Sequence, residues 1–206
     1  MIKANHKRFW VNFSWYYSNY GLKIFFRNIK YVGEYKETKL PLLMIGNHFS
    51  WWDGFIQILL NNKYYQRKFH FMMLERELKK AMVLTKIGAF SVSKGRKSSL
   101  ESLEYAAQLL NFDKNMLLFF PQGKIQSIYT QEFKFEKGLL TYIVNNVKTP
   151  YQFVFNVNLI DYQARRKPEI TVYHKTYTFD TTVTVDKIEA DYNAYAQECM
   201  DKQRKK

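Results

Sequence analysis

The chain has 206 residues, the size of one domain, and 47% of them are hydrophobic, enough for a buried core and too many for wholesale disorder. Lysine and arginine number 32 against 18 acidic residues, and the resulting charge of +14 favours an anionic partner: nucleic acid, anionic lipid or a phosphorylated substrate. The one cysteine, Cys199, excludes an internal disulfide and a cysteine-based metal cluster, and a single thiol fits a reducing compartment.

The chain opens on its least ordinary segment. The longest stretch free of charged side chains runs from Phe9 to Leu22 and contains Asn12, Ser14, Ser18 and Asn19. A spanning helix needs roughly 20 mostly apolar residues, so no transmembrane segment is expected. The stretch also lacks a small-residue cleavage site, which argues against a secretory signal. Phe9 to Tyr31 holds ten aromatics, and residues 1–33 carry Lys3, Lys7, Arg8, Lys23, Arg27 and Lys30 with no acid before Glu34. Phe9, Phe13, Tyr16, Tyr20 and Ile24 recur at helical spacing and share one face. Rings and cations together suit the headgroup region of a bilayer. Residues 1–33 are therefore expected to form an amphipathic, membrane-associating helical segment, with Gly21 dividing it into two shorter helices. A helix that buries its aromatic row in the core and leaves its basic face in water fits the same spacing.

Beyond it, the apolar runs Leu40–Ile45, Phe69–Leu74, Met116–Phe120, Phe153–Ile160 and Glu169–Phe179 read as strands. Ser98–Leu110, Lys137–Asn145 and Ile188–Gln203 read as helices. In the first of these Leu100, Leu103, Ala107 and Leu110 share a face. Strands alternating with helices predict an α/β fold over residues 34–206, a central mixed sheet flanked by helices. Lys202 to Lys206 form a basic, frayed tail.

The strongest local motif is Asn47-His48-Phe49-Ser50-Trp51-Trp52-Asp53, directly after Leu42 to Ile45 and Gly46. On a continuous helix, residues five apart point about 140° away from each other. His48 and Asp53 meet only if the chain turns between strand and helix. An aspartate bonded to one ring nitrogen fixes the tautomer and raises the basicity of the other. The product is a general base for a hydroxyl, and the acceptor hydroxyl itself then attacks. A polar turn with a capping aspartate accounts for the same residues. His70 and His174 read as structural histidines, and Glu75 and Glu77 as a helix start. Trp51 and Trp52 suit an acyl channel or simple packing. There is no histidine–carboxylate cluster at metal spacing and no G-x-G-x-x-G, so neither a metal nor a nucleotide cofactor is expected.

The motif has company in a fixed order. Gly88-Ala89-Phe90-Ser91-Val92-Ser93-Lys94, Phe120-Pro121-Gln122-Gly123-Lys124-Ile125-Gln126-Ser127 and Phe135-Glu136-Lys137-Gly138 follow it. With these blocks the chain resembles the glycerolipid acyltransferase superfamily, of which lysophosphatidate acyltransferase is the familiar member. The resemblance spans roughly residues 40–161. It implies that residues 34–206 form an acyltransferase domain in which His48 is the catalytic base and Asp53 its orienting partner. It implies substrate contacts from Asn47, Lys94, Gln122, Gly123 and Lys124, the two lysines being the cations available for an acceptor phosphate. A turn at Gly123 would add backbone N–H donors for an anion.

Three departures from the family pattern matter. Lys94 stands where arginine is usual and offers a point charge in place of a bidentate fork. Gln122 replaces glutamate with a neutral amide. The Thr-Arg of the third block is missing. The expected reaction is acyl transfer from acyl-CoA or acyl carrier protein to a hydroxyl of a lysophospholipid-type acceptor, with lysophosphatidate one candidate. An amino-acid lysolipid or a lipophilic pigment alcohol is the alternative acceptor. Expected partners are the thioester donor, the lipid acceptor and an anionic membrane surface, with the protein peripheral on the cytoplasmic side. A basic, aromatic nucleic-acid-binding module is the rival of another class, although no nucleic-acid signature supports it. A catalytically inactive lipid-binding relative is the third reading.

Overall fold

The computed structural model describes the chain except residues 37, 94, 95, 178–182 and 206, and the side chains of residues 96–98. The elements in chain order are α1 (Arg8–Phe25), β1 (Asn28–Val32), β2 (Leu42–Gly46), α2 (Asp53–Leu60), β3 (Lys68–Leu74), α3 (Glu75–Lys80), β4 (Ala89–Val92), α4 (Arg96–Leu109), β5 (Asn115–Phe119), α5 (Lys137–Asn146), β6 (Gln152–Asp161), β7 (Glu169–Tyr177) and α6 (Val185–Arg204). A π-helical turn at Asn61–Tyr65 extends α2, and a 3-10 helix occupies Met82–Ile87.

Among the described residues the strands form one sheet of order β1-β7-β6-β2-β5-β3-β4. From β6 to β4 all neighbours are parallel, β6 meets β7 antiparallel, and β1 runs parallel to β7. The expected mixed α/β sheet is the one observed. All five residues of β2 are buried. Leu43 and Ile45 point to one face, with residues of α4, α5 and α6; Leu42 and Met44 point to the other, with residues of α1 and α2. Burial on both faces explains why these central strands read as unbroken apolar runs.

The N-terminal segment differs from expectation in two respects, an unbroken helix and a final strand. α1 runs through Gly21 without a break. Packing on α2 outweighs the roughly 1 kcal/mol that a helical glycine costs. The stripe that α1 buries is Ser14, Ser18 and Leu22, at intervals of four. The hydroxyls of Ser14 and Ser18 donate to the helix's own carbonyls, of Val11 and Ser14, at 2.7 and 2.6 Å. The aromatic row faces outward: Phe9 is 70% exposed, Tyr20 62% and Ile24 64%, with Phe13 and Tyr16 also exposed. Finally, residues 28–32 form an edge strand of the central sheet. At the opposite edge the N–H of Ser91 in β4 donates to Ile2 O at 2.9 Å.

Glu169 fastens β1 to β7. It is buried, and Arg27 and Lys30 reach its carboxylate at 3.2 and 2.9 Å, with Asn28 Nδ2 at 3.2 Å. Burial works against the ionised form, yet Lys30, Asn28 and Arg27 together hold this carboxyl below its usual range. Glu169→Gln is therefore expected to lower unfolding free energy at pH 7 by about 1 kcal/mol, discounted for half-exposed partners. The wild-type advantage is complete above the unfolded carboxyl range and disappears as pH falls through the lowered folded value. Urea titrations of both proteins at pH 7 and at acid pH measure it, and equal midpoints at pH 7 would rule the bridge out as a stabiliser.

Candidate active site

β2 and β5 are parallel neighbours, but the chain leaves them in opposite directions. α2 follows β2 onto the face shared with α1; α5 follows β5 onto the face shared with α4 and α6. Such a divergence opens a crevice at the carboxyl ends of the two strands, where open α/β sheets bind their ligands. His48 lies just beyond β2 and Gln122 just beyond β5.

Asp53 opens α2 and is fully buried. Its Oδ2 lies 2.7 Å from His48 Nδ1 and accepts the backbone N–H groups of Phe49 at 2.7 Å and Ser50 at 2.9 Å. The turn that the five-residue spacing requires is present. An ionised carboxylate only accepts, so His48 carries its proton on Nδ1 and Nε2 is left as the basic nitrogen. Burial pushes the Asp53 carboxyl above its ordinary value, against the bonds from His48, Ser50 and Phe49 that favour the charged form. The His48 side chain is 25% exposed, so the pair is closed from below and open above. Its ring stacks on Phe120, with centroids 4.3 Å apart and planes 9° from parallel. A Cβ at Gly46 would lie 3.3 Å from Asn156 Oδ1 and 3.4 Å from the Phe120 ring, so the backbone passes close beneath both.

The third block grips the same turn. The His48 N–H donates to Gln122 Oε1 at 2.6 Å, and the Gln126 N–H donates to His48 O at 2.9 Å. Gln122 Nε2 in turn donates to Gln126 Oε1. Gln122 is buried, and each end of its amide makes a bond that holds the His48 turn. Asn47 likewise bonds within the fold. It is buried, donates through Nδ2 to Asn158 O at 2.9 Å and accepts Asn158 N–H at 2.8 Å, tying the turn to β6.

Gly123 has φ +66°, a conformation that favours glycine. Its N–H donates to Phe120 O at 3.2 Å, so it is not offered to an anion in the way the resemblance implied. Lys124 is exposed and forms no ion pair among the described residues. Lys94 lies outside the described residues. Lys137 of the F-x-K-G block binds Asp186 at 2.6 Å and Glu189 at 2.7 Å, joining α5 to α6. Trp51 is 59% exposed, whereas Trp52 packs against Tyr17, Phe25 and Phe55. His70 and His174 are buried and sit in the sheet, where burial pushes them down to about 3 and about 4. No group of three histidine, cysteine or acidic side chains among the described residues is placed to hold a metal.

Below the pair lies an amide layer that the sequence reading missed. Gln57, one turn after Asp53, donates to Asn156 Oδ1. Asn156 Nδ2 reaches Asn158 Oδ1 at 3.1 Å and Tyr173 O at 3.0 Å, and Tyr192 donates to Asn156 O at 2.8 Å. Two asparagines two residues apart in an apolar strand were the available signal, because they share a face.

A family model described as Acyltransferase matches residues 28–154, and the chain belongs to that family. Among solved structures it is similar to the 1-acyl-sn-glycerophosphate (LPA) acyltransferase PlsC from Thermotoga maritima, with a TM-score of 0.60 at 12% identity, covering 95% of this chain and 80% of that one. At that identity the likeness is one of fold. No curated protein gives a significant sequence match.

Asp53→Asn keeps the shape and removes the charge. The His48 ring is then expected to lose its Nδ1–H preference, read from its ring nitrogen shifts by NMR. Turnover should fall by at least about a hundredfold, the usual scale for a misplaced general base. An unchanged tautomer would contradict the orienting role.

Proposed function

We propose that the protein transfers a fatty acyl group from acyl-CoA or acyl carrier protein to a hydroxyl of a lysophospholipid-type acceptor. The observation that carries this reading is the His48–Asp53 pair, open on one side, at the mouth of the crevice in a chain of the Acyltransferase family. His48 Nε2 takes the proton of the acceptor hydroxyl as its oxygen attacks the thioester carbonyl. The tetrahedral intermediate collapses, the C–S bond breaks, and the imidazolium returns the proton to the leaving thiolate. An ester forms, a thiol departs, and no covalent acyl-enzyme is needed. The N–H groups of Phe49 and Ser50 are spent on Asp53, so the oxyanion draws on other donors.

The reading includes a membrane surface. No helix among the described residues is long and apolar enough to cross a bilayer. The outward row Phe9, Phe13, Tyr16, Tyr20 and Ile24 supports peripheral docking, because a core-packing helix would bury it. Trp52, at the start of α2, touches Tyr17 and Phe25 of α1, so that face adjoins the catalytic turn. A lipid acceptor would then reach His48 without leaving the interface.

His48→Ala is expected to stay folded and to lose acyl transfer by about a thousandfold or more, the scale of a missing general base with its positioning. Substantial turnover with thioester and lysolipid both supplied would remove His48 from the mechanism. For the membrane, Phe9→Ser, Phe13→Ser and Ile24→Ser together should weaken co-sedimentation with anionic vesicles by about tenfold or more, since each buried side chain is worth 1.5–3 kcal/mol at full burial. The thermal midpoint should not move, because these side chains are exposed in the free protein. Undiminished sedimentation would discard the docking face.

A further inference from the structure

The third block is charged in a way that its motif does not announce. Among its polar groups, the Gln122 amide is consumed by His48 and Gln126, and the Gly123 N–H by Phe120. Exposed at Gly123 among the described residues are its chain neighbour Lys124 and the carboxylate of Glu136. Glu136 is the variable position of the F-x-K-G block. Its N–H donates to Pro121 O at 2.7 Å, which anchors its backbone against the third block. Its carboxylate lies over the α-carbon of Gly123: a Cβ there would come within 2.5 Å of Glu136 Cδ and 2.7 Å of both oxygens. The adjacent Lys137 is already paired with Asp186 and Glu189, so it does not neutralise Glu136. Neither Glu136 nor Lys124 forms an ion pair among the described residues.

A bare phosphomonoester brought to this spot gains one lysine and meets one carboxylate. A headgroup with an ammonium next to an anionic group meets a complement for each. Building on the acyl-transfer reading above, we propose that Glu136 and Lys124 are specificity-determining residues that select a zwitterionic acceptor headgroup, phosphoethanolamine or an α-amino acid, over a phosphomonoester. Like charges opposed at close range disfavour the wrong partner as effectively as new contacts favour the right one.

The test uses the full chain at fixed low ionic strength with a long-chain acyl thioester. Three acceptors are compared: lysophosphatidate, lysophosphatidylethanolamine and a lysolipid whose headgroup is an α-amino acid with ammonium and carboxylate both free. The quantity read is the ratio of kcat/KM values. The wild type should prefer one or both ammonium-bearing acceptors, and which one leads distinguishes the two headgroup sources. Glu136→Gln should shrink that preference about fivefold, the scale of one exposed charge pair. Glu136→Lys should reverse it, while Lys124→Gln should weaken all three acceptors. A wild type that prefers lysophosphatidate, or ratios unmoved by Glu136→Gln and Glu136→Lys alike, would overturn the headgroup assignment and leave acyl transfer standing. Transfer to none of the three overturns the acyl-transfer reading and the assignment with it.

Discussion

One carboxylate oxygen organises the active end of this molecule. Asp53 Oδ2 receives the His48 ring and two successive backbone N–H groups, three donors on a single acceptor. The two backbone bonds close the turn, and the third aims the ring. Local folding and ring orientation are thus the same event: the turn cannot form without presenting His48. The five-residue spacing is what this requires, since α2 begins at Asp53 and its first side chain must reach back over the loop that precedes it. The cost is a buried charge, visible in the raised carboxyl and in Oδ1, which has no hydrogen-bond partner among the described residues.

Around that oxygen the protein has arranged amides rather than charges. Gln122 and Gln126 hold the backbone of His48, Asn47 straps the turn to β6, and Gln57, Asn156 and Asn158 continue inward to the α6 hydroxyl of Tyr192. An amide both donates and accepts, so a chain of them passes through the core without importing net charge. This accounts for glutamine at position 122. Its two partners are a backbone N–H and another side-chain amide, and one group serves both.

The sequence reading reached the fold through its central strands and long helices, because burial on two faces gives unbroken apolar runs and packing on one face gives a 3.6-residue period. It missed β1, whose Asn-Ile-Lys-Tyr-Val is half exposed and sits among aromatic, basic neighbours that read as helix. The short β4 was absorbed into a motif. In the site, His48 and Asp53 were legible through the ordered blocks of the family resemblance, since their spacing alone fits a capping aspartate equally well. The tasks of Asn47 and Gln122 were not, because an amide's role is decided by its partners, and those partners, Asn158 and Gln126, are placed by tertiary structure. Glu136 was quoted within its block yet carried no signal until its carboxylate was seen over Gly123.

The two ends of the sheet have different histories along the chain. Among the described residues β1 pairs with β7 alone, and the side-chain bond between Asn28 and Glu169 spans 141 positions. During synthesis the first strand therefore waits, without any strand to join, until β7 has emerged. β2, β5 and β6 pair with one another without β1. Completion of the sheet is then a late closure at that edge alone, since α1 finds α2 and the 3-10 helix to pack on much earlier in the chain.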